Sequence, residues 1–229
     1  MTQVAHPAFI SYPKQASFGR TLPKNKIYEH SGANKRLKDL FVSQVEQIIW
    51  QYKLAPETIN LPAKPGVPEL QILSIQLKAS ELNLDVLRCI DGAVQYPIIF
   101  ELSFDGRTQA IAAYKRPNES DASRWVLSDY FATGWLPSDI ERAAMPLALD
   151  LGGLYEQILL RLIPLPARQY ENLAGLVARV EQVTAKQREV EKAASRLAKE
   201  KQFNRKVEIN AHLRQLKNEL EELTVREGA

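Results

Sequence analysis

Hydrophobic and polar residues alternate most cleanly between Ile98 and Phe104. Ile98, Phe100, Leu102 and Phe104 share one side, and Ile99, Glu101 and Ser103 share the other, the period-two pattern of a strand. Asp105-Gly106 follows, and Arg107 to Lys115 continues extended. Asp-Gly between two such runs predicts a type I′ hairpin, because both central residues need positive φ. Glu69 to Lys78 reads as a second strand region: Gln71, Leu73, Ile75 and Leu77 line one face, while Leu70 and Ile72 add burial on the other. Arg124 to Phe131 predicts a further strand, and Lys26-Ile27-Tyr28-Glu29 a short one.

Helical spacing first appears at Leu37, Phe41, Val45, Ile48 and Tyr52, which predicts one helix capped by Ser31 or Asn34 and stopped near Leu54 by Pro56. Ser80 or Asn83 opens a short helix with Val86, Leu87 and Ile90, ending at Gly92. Asp150 caps a helix with Leu151, Leu154, Ile158 and Leu162, ended by Pro164 and Pro166. Pro117 to Ser123 is a polar loop, and Met1 to Phe18 lacks a sustained period. The expected organisation is a loose arm over 1–18, a mixed α/β domain over 19–165 and a helical tail over 166–229. The fold class is α+β, a compact helix and sheet domain with an antiparallel hairpin followed by a long coiled-coil-like tail.

From Ala167 to Glu227 there is no proline, and the only glycine is Gly175. Leu173, Leu176, Val180, Val183, Val190 and Leu197 form a weak heptad seam; Ile209, Leu213, Leu216, Leu220 and Leu223 form a stronger one out of register with it. The phase is lost between Lys199 and Lys206. Either one helix passes through a stutter, or the chain turns near Asn204 into a helical hairpin. The continuous or kinked form is preferred, because no glycine or proline supplies a turn. An apolar seam on a charged helix must be covered by a second arm, by a copy of itself or by another protein. Ile209, Leu213, Leu216, Leu220 and Leu223 are therefore the candidate partner interface.

Charge changes the picture through its placement. The net charge of the 229 residues is only +3, but from Lys14 to Lys38 seven basic residues face Glu29 alone. A second basic run extends from Lys186 to Lys206. Such stripes suit phosphates or an acidic partner, and equally a solvated surface. Lys24, Lys26, Lys35, Arg36, Lys115 and Arg116 are the candidate nucleic-acid contacts, with Tyr28 and Tyr114 as stacking or core residues. One cysteine, Cys89, excludes an internal disulfide and favours a reducing compartment. With no signal-peptide pattern and no membrane-spanning run, a cytoplasmic chain is expected.

Candidate chemistry is sparse. His6, His30 and His212 stand in separate segments, and no phosphate-binding glycine loop or nucleophile elbow occurs. No cofactor or metal is expected. The one enzyme reading is a divergent metal-dependent nuclease drawing on Glu69, Asp91 or Glu101, with Lys115 as the cation near the phosphate. Hairpin geometry opposes it: Glu101 shares a face with Ala110, Ala112 and Tyr114, whereas Lys115 points the other way. The small alanines leave room beside Glu101 for an arginine or backbone amides from elsewhere.

Several segments together resemble an uncharacterised bacterial family of unknown function. They are Leu22-Pro23, Lys26-Ile27-Tyr28, Ile48 to Leu54, Glu69 to Ile72, Ile90-Asp91, Tyr96 to Phe100, Ala113 to Arg116, Leu154-Tyr155 and Phe203 to Val207. Members of that family are encountered beside helicase and methyltransferase components of restriction-modification or phage-defence loci. The resemblance implies a setting and no reaction. It points to a non-catalytic accessory subunit of a DNA-defence complex, with a helicase or methyltransferase subunit, or a second copy, as partner and DNA as a further ligand. The nuclease and a homodimer through the tail are the alternatives.

Overall fold

The computed structural model of the chain describes residues 6–121 and 124–225. The chain divides into two compact units, Met1–Leu162 and Ile163–Ala229. The first contains strands β1 (His6–Ser11) and β2 (Ser17–Thr21), helices α1 (Lys24–Ser31) and α2 (Lys35–Gln44), strand β3 (Val45–Leu54) and the short helix α3 (Pro56–Ile59). Strand β4 (Leu70–Leu77), helix α4 (Leu84–Ala93) and strands β5 (Ile98–Phe104), β6 (Arg107–Pro117) and β7 (Trp125–Ala132) follow. Two short strands, β8 (Leu136–Pro137) and β9 (Arg142–Ala144), lead to helix α5 (Leu151–Leu160).

The main sheet runs β2-β3-β4-β5-β6-β7, with β8 also on β6. All its pairings are antiparallel except β4 with β5. Parallel neighbours need a crossover, and α4 supplies it. Asn83 caps α4 by accepting a hydrogen bond from the Asp85 amide at 2.9 Å. The helix runs one residue past Gly92. Ile27, Phe41, Val86, Leu87 and Ile90 from the helices pack with Ile48, Leu73, Ile75, Phe100 and Leu102 on one face of the sheet. On the other face the Tyr155 hydroxyl of α5 donates to the Ala113 carbonyl at 2.8 Å and accepts from the Lys115 amide at 2.9 Å. At the hairpin, Asp105 and Gly106 adopt φ of 47° and 69°, and Phe104 pairs with Arg107. This is the conformation that the Asp-Gly step favours.

Three expectations are corrected. The helix expected up to Leu54 ends at Gln44, and Val45–Leu54 is a strand. Register shifts between Val45 and Gln47 and between Trp50 and Tyr52 break its alternation. A bulge re-aims side chains, so Val45 and Ile48 are both buried three residues apart, a spacing that mimics a helix. Lys26–Glu29 lies inside α1, which starts directly after Pro23 and stops at Gly32 with φ of 63°. That is the usual asymmetry of proline before and glycine after a helix. The expected arm contains β1 and β2: β1 pairs with β9, β2 forms the sheet edge on β3, and Phe9 and Ile10 are fully buried. Residues 1–5 of that arm, Ala122 and Ser123 of the polar loop and the tail after Val225 lie outside the described residues.

The second unit holds α6 (Leu173–Lys199) and α7 (Phe203–Thr224). Asn172 caps α6 by accepting from the Gly175 amide at 2.8 Å. The helices run antiparallel: Lys186 Nζ lies 2.9 Å from Glu219 Oε2, and Arg179 donates to the Leu223 carbonyl at 3.1 Å. Ala193, Leu213 and Leu216 are buried between them, with Val190 and Leu197 alongside. The preferred unbroken helix is therefore replaced by the hairpin. Its turn needs neither glycine nor proline, because the Glu200 carboxylate accepts from the amides of Lys201 (2.8 Å) and Gln202 (2.9 Å). Those contacts hold the Glu200 carboxyl below its ordinary pKa. Among the described residues, no helix is long and apolar enough to cross a membrane.

Spin labels at Lys186 and Glu219 should report the short separation of neighbouring helices, whose axes lie about 8–10 Å apart. A pulsed electron-spin distance near 50 Å, the span of an unbroken helix at about 1.5 Å per residue, would contradict the hairpin.

Candidate functional site

The densest polar cluster lies where β6 passes the end of α4. Lys115 is almost fully buried, and its ammonium donates to the carbonyls of Asp91 (2.5 Å) and Val94. These are carbonyls of the last turn and cap of α4, where a cation is favoured by the helix dipole. The Asp91 carboxylate stands 3.9 Å away and accepts a 2.5 Å hydrogen bond from the Tyr130 hydroxyl of β7. The Trp125 ring centroid is 5.5 Å from the ammonium. Burial pushes the Asp91 carboxyl up to about 6, against the lowering effects of Tyr130 and Lys115. Burial lowers Lys115 and raises Tyr130, the latter with the Asp91 charge adding to it. Each group has its partners inside the fold, and the arrangement fastens the crossover helix to β6 and β7.

Glu101 points from β5 to the opposite face. It pairs with Ala110 across the hairpin, and Arg142 from β9 occupies the room beside it. Two guanidinium nitrogens donate to the two carboxylate oxygens at 2.8 and 2.7 Å, the bidentate geometry that suits arginine. Arg142 also donates to the Ile10 carbonyl of β1 at 3.1 Å. The hydrogen bond to Glu101 is the main cause holding the guanidinium above its ordinary pKa. Burial, with Glu101 next, raises the Tyr12 hydroxyl, whose ring lies 5.0 Å from that of Tyr52. Glu101 and Lys115 thus serve different faces.

Glu69 lies just before β4, where Gln71 donates to it at 2.8 Å and Lys53 is 3.3 Å away. On the parallel pair, Glu101 aligns with Ser74, five residues along the strand from Glu69 and about 16 Å at strand rise. The three carboxylates considered for metal chemistry, Glu69, Asp91 and Glu101, therefore stand in three places with three sets of partners. Among the described residues, no group of three or more histidine, cysteine, aspartate or glutamate side chains is placed to hold a metal ion.

The basic residues separate in the same way. Lys24 donates to the carbonyls of Phe41 (3.1 Å) and Val45 (2.5 Å) at the end of α2, and burial lowers its pKa. Lys115 is enclosed. Lys115 therefore cannot reach a phosphate as expected from the sequence, whereas the half-buried Lys24 has its ammonium engaged by two carbonyls. Lys26 pairs with Glu29 on the surface and Arg116 lies 3.4 Å from Glu119. Lys35 and Arg36 begin α2, and Arg36 lines a groove of about 310 Å³ with Leu37, Leu40, Arg88 and Cys89. Tyr28 packs edge-on against Phe41, and Tyr114 lies beside Tyr155.

In the tail, Leu213 and Leu216 are buried against α6 and Ile209, Leu220 and Leu223 are half-buried. Much of the seam expected to meet a partner is thus covered by the chain's own second arm. Sequence reasoning missed Arg179, nearly buried, which binds Glu171 at 2.7 Å and the Pro166 carbonyl at 2.7 Å. It also missed Tyr130, Tyr155 and Arg142. Only the gap opposite the alanines signalled the last of these.

The fold and these clusters define a mixed-sheet α/β protein with an appended helical hairpin, its buried charges paired internally. A family model described as a domain of unknown function, DUF4391, matches residues 10–220, and the chain belongs to that family. Neither the curated proteins nor the solved structures contain a match.

A carboxyl whose folded pKa is raised favours the fold while protonated. Its contribution is complete below the unfolded value near 4 and is lost as pH rises through about 6. The wild-type chain should therefore lose stability relative to Asp91→Asn between about pH 4 and 6, by roughly 3 kcal/mol, in urea melts. Parallel pH profiles for the two proteins would show that Asp91 does not titrate across the window.

Proposed function

We propose that the protein is a non-catalytic accessory subunit of a bacterial DNA-defence complex of the restriction-modification kind, acting in the cytoplasm. The observation that supports a non-catalytic role is the internal pairing of every carboxylate the sequence offered for metal chemistry. Glu101 is held by Arg142, Asp91 by Tyr130 and Lys115, and Glu69 by Gln71 and Lys53. A general acid, base or metal ligand needs an approachable atom and a place for substrate beside it. These groups instead join strands and helices to one another.

The setting rests on the family resemblance, and the expected partner is a helicase or methyltransferase subunit. The α/β unit is then a rigid platform and the helical hairpin its assembly element. DNA contact falls to the exposed cations Lys26, Lys35 and Arg36 and the half-buried Arg116, whose spread over the surface suits weak, salt-sensitive phosphate contact.

Purified protein should leave plasmid DNA intact in magnesium or manganese. Glu101→Ala should lower stability by about 1–3 kcal/mol, the worth of hydrogen bonds to a charged group, without changing that result. Affinity capture from the native cell should recover a helicase or methyltransferase subunit. Metal-dependent cleavage abolished by Glu101→Ala would replace this reading with the nuclease.

A further inference from the structure

The two ends of the helical hairpin carry opposite chemistry. At the turn, Arg196, Lys199, Lys201, Arg205 and Lys206 are all exposed, against Glu200 alone. Glu200 is already engaged by two backbone amides. Among these cations project Phe203, 77% exposed, and Val207, 54% exposed. They lie four residues apart on one face of α7. At the open end, a groove of about 950 Å³ is lined by Glu219, Glu221, Glu222, Leu223 and Val225. Its cations have internal partners: Arg168 donates to the Glu222 carbonyl at 2.6 Å, and Lys186 pairs with Glu189 and Glu219, so the acidic character of the groove falls to the exposed Glu221 and Glu222.

We infer that a second copy of this chain occupies that groove, its basic, apolar turn seated on the acidic, apolar open end. The inference rests on the assembly role given to the hairpin above and names its partner and surface. Side-by-side antiparallel packing of two hairpins brings each turn to the other's open end, so one two-fold operation satisfies both contacts and closes the assembly. Size permits it. The 27 residues of α6 span about 40 Å and two helices are about 20 Å wide. One face is then about 800 Å², the area each partner contributes to an interface of standard size. Opposite charges at the two ends fix the antiparallel sense, because a parallel pair would set cation on cation.

Charge reversal tests this on the full chain. One variant carries K201E, R205E and K206E; the other carries E221K and E222K. Both changes suit the helix dipole, with acids at the start of α7 and lysines at its end, so circular dichroism should show α7 retained. Light scattering should give a two-chain mass for the wild type and a dimer weakened by roughly tenfold or more in each variant. An equimolar mixture of the variants should recover the two-chain mass, because each reversed end then meets its complement. A one-chain wild-type mass at tens of micromolar would overturn the pairing, as would a dimer indifferent to both reversals or a mixture that fails to recover. So would a one-chain protein whose oligonucleotide binding disappears with the turn variant, which would give the turn to nucleic acid. None of these results bears on metal-dependent cleavage or on capture of a helicase or methyltransferase, which test the accessory role separately.

Discussion

The parallel pairing of β4 with β5 is the constraint from which the rest of the α/β unit follows. Two strands at the centre of a sheet, parallel and adjacent, cannot be joined by a tight turn, and both their faces must be shielded from water. The crossover α4 covers one face together with α1 and α2, and its carbonyl end must be anchored for the crossover to stay in place. Lys115 provides that anchor from β6 through the Asp91 and Val94 carbonyls. The opposite face lacks a crossover of its own. It is covered by distant pieces of chain, β1, β9 and α5, which sequence neighbours cannot position. Arg142 joins the first two to β5 by binding Glu101 and the Ile10 carbonyl together, and Tyr155 fixes α5 to the backbone of β6.

Buried charge in this protein is therefore tied to topology. An ion pair taken out of water costs desolvation that its own attraction only partly returns. Burial accordingly raises the Asp91 carboxyl and lowers the Lys115 ammonium. What such pairs supply is geometry, because each links elements far apart in the chain: Asp91 with Lys115 and Tyr130, Glu101 with Arg142. A carboxylate fixed in this way has little freedom to turn toward a substrate.

The parts legible in the sequence were those set by local rules. The Asp-Gly hairpin, the strand at Glu69 to Lys78, and the caps Asn83 and Asp150 depend on residues within a few positions of one another, and all appear in the structure. β3 reads as helix in the sequence because the bulge between Val45 and Gln47 gives Val45 and Ile48 a helical spacing, although its β-branched and aromatic run Ile48-Ile49-Trp50 favours a strand. The arm was read as loose because β1 gains its order from β9, over a hundred residues away. The helical hairpin is the less favoured of the two sequence readings for a related reason: an acidic side chain replaces the glycine or proline that turns are expected to show. At the candidate site, Glu101 and Lys115 could be placed on opposite faces from the pleat alone, but Arg142 and Tyr130 come from other strands and carry no local mark.

The hairpin extends the same reasoning to assembly. Two packed antiparallel helices can hide only the strip between them, and here that strip holds Ala193, Leu213 and Leu216. Exposed and half-buried apolar groups also lie at the two ends: Phe203 and Val207 sit within the cations of the turn, and Leu223 and Val225 within the acids of the open end. Were the charges at the two ends present for solubility alone, mixing the signs there would serve better, since like charges crowded at one end repel. Segregating them costs the isolated hairpin some stability, and an opposed surface that matches both ends recovers it. A second hairpin laid antiparallel is the simplest surface that does so, because the same sequence supplies both complements.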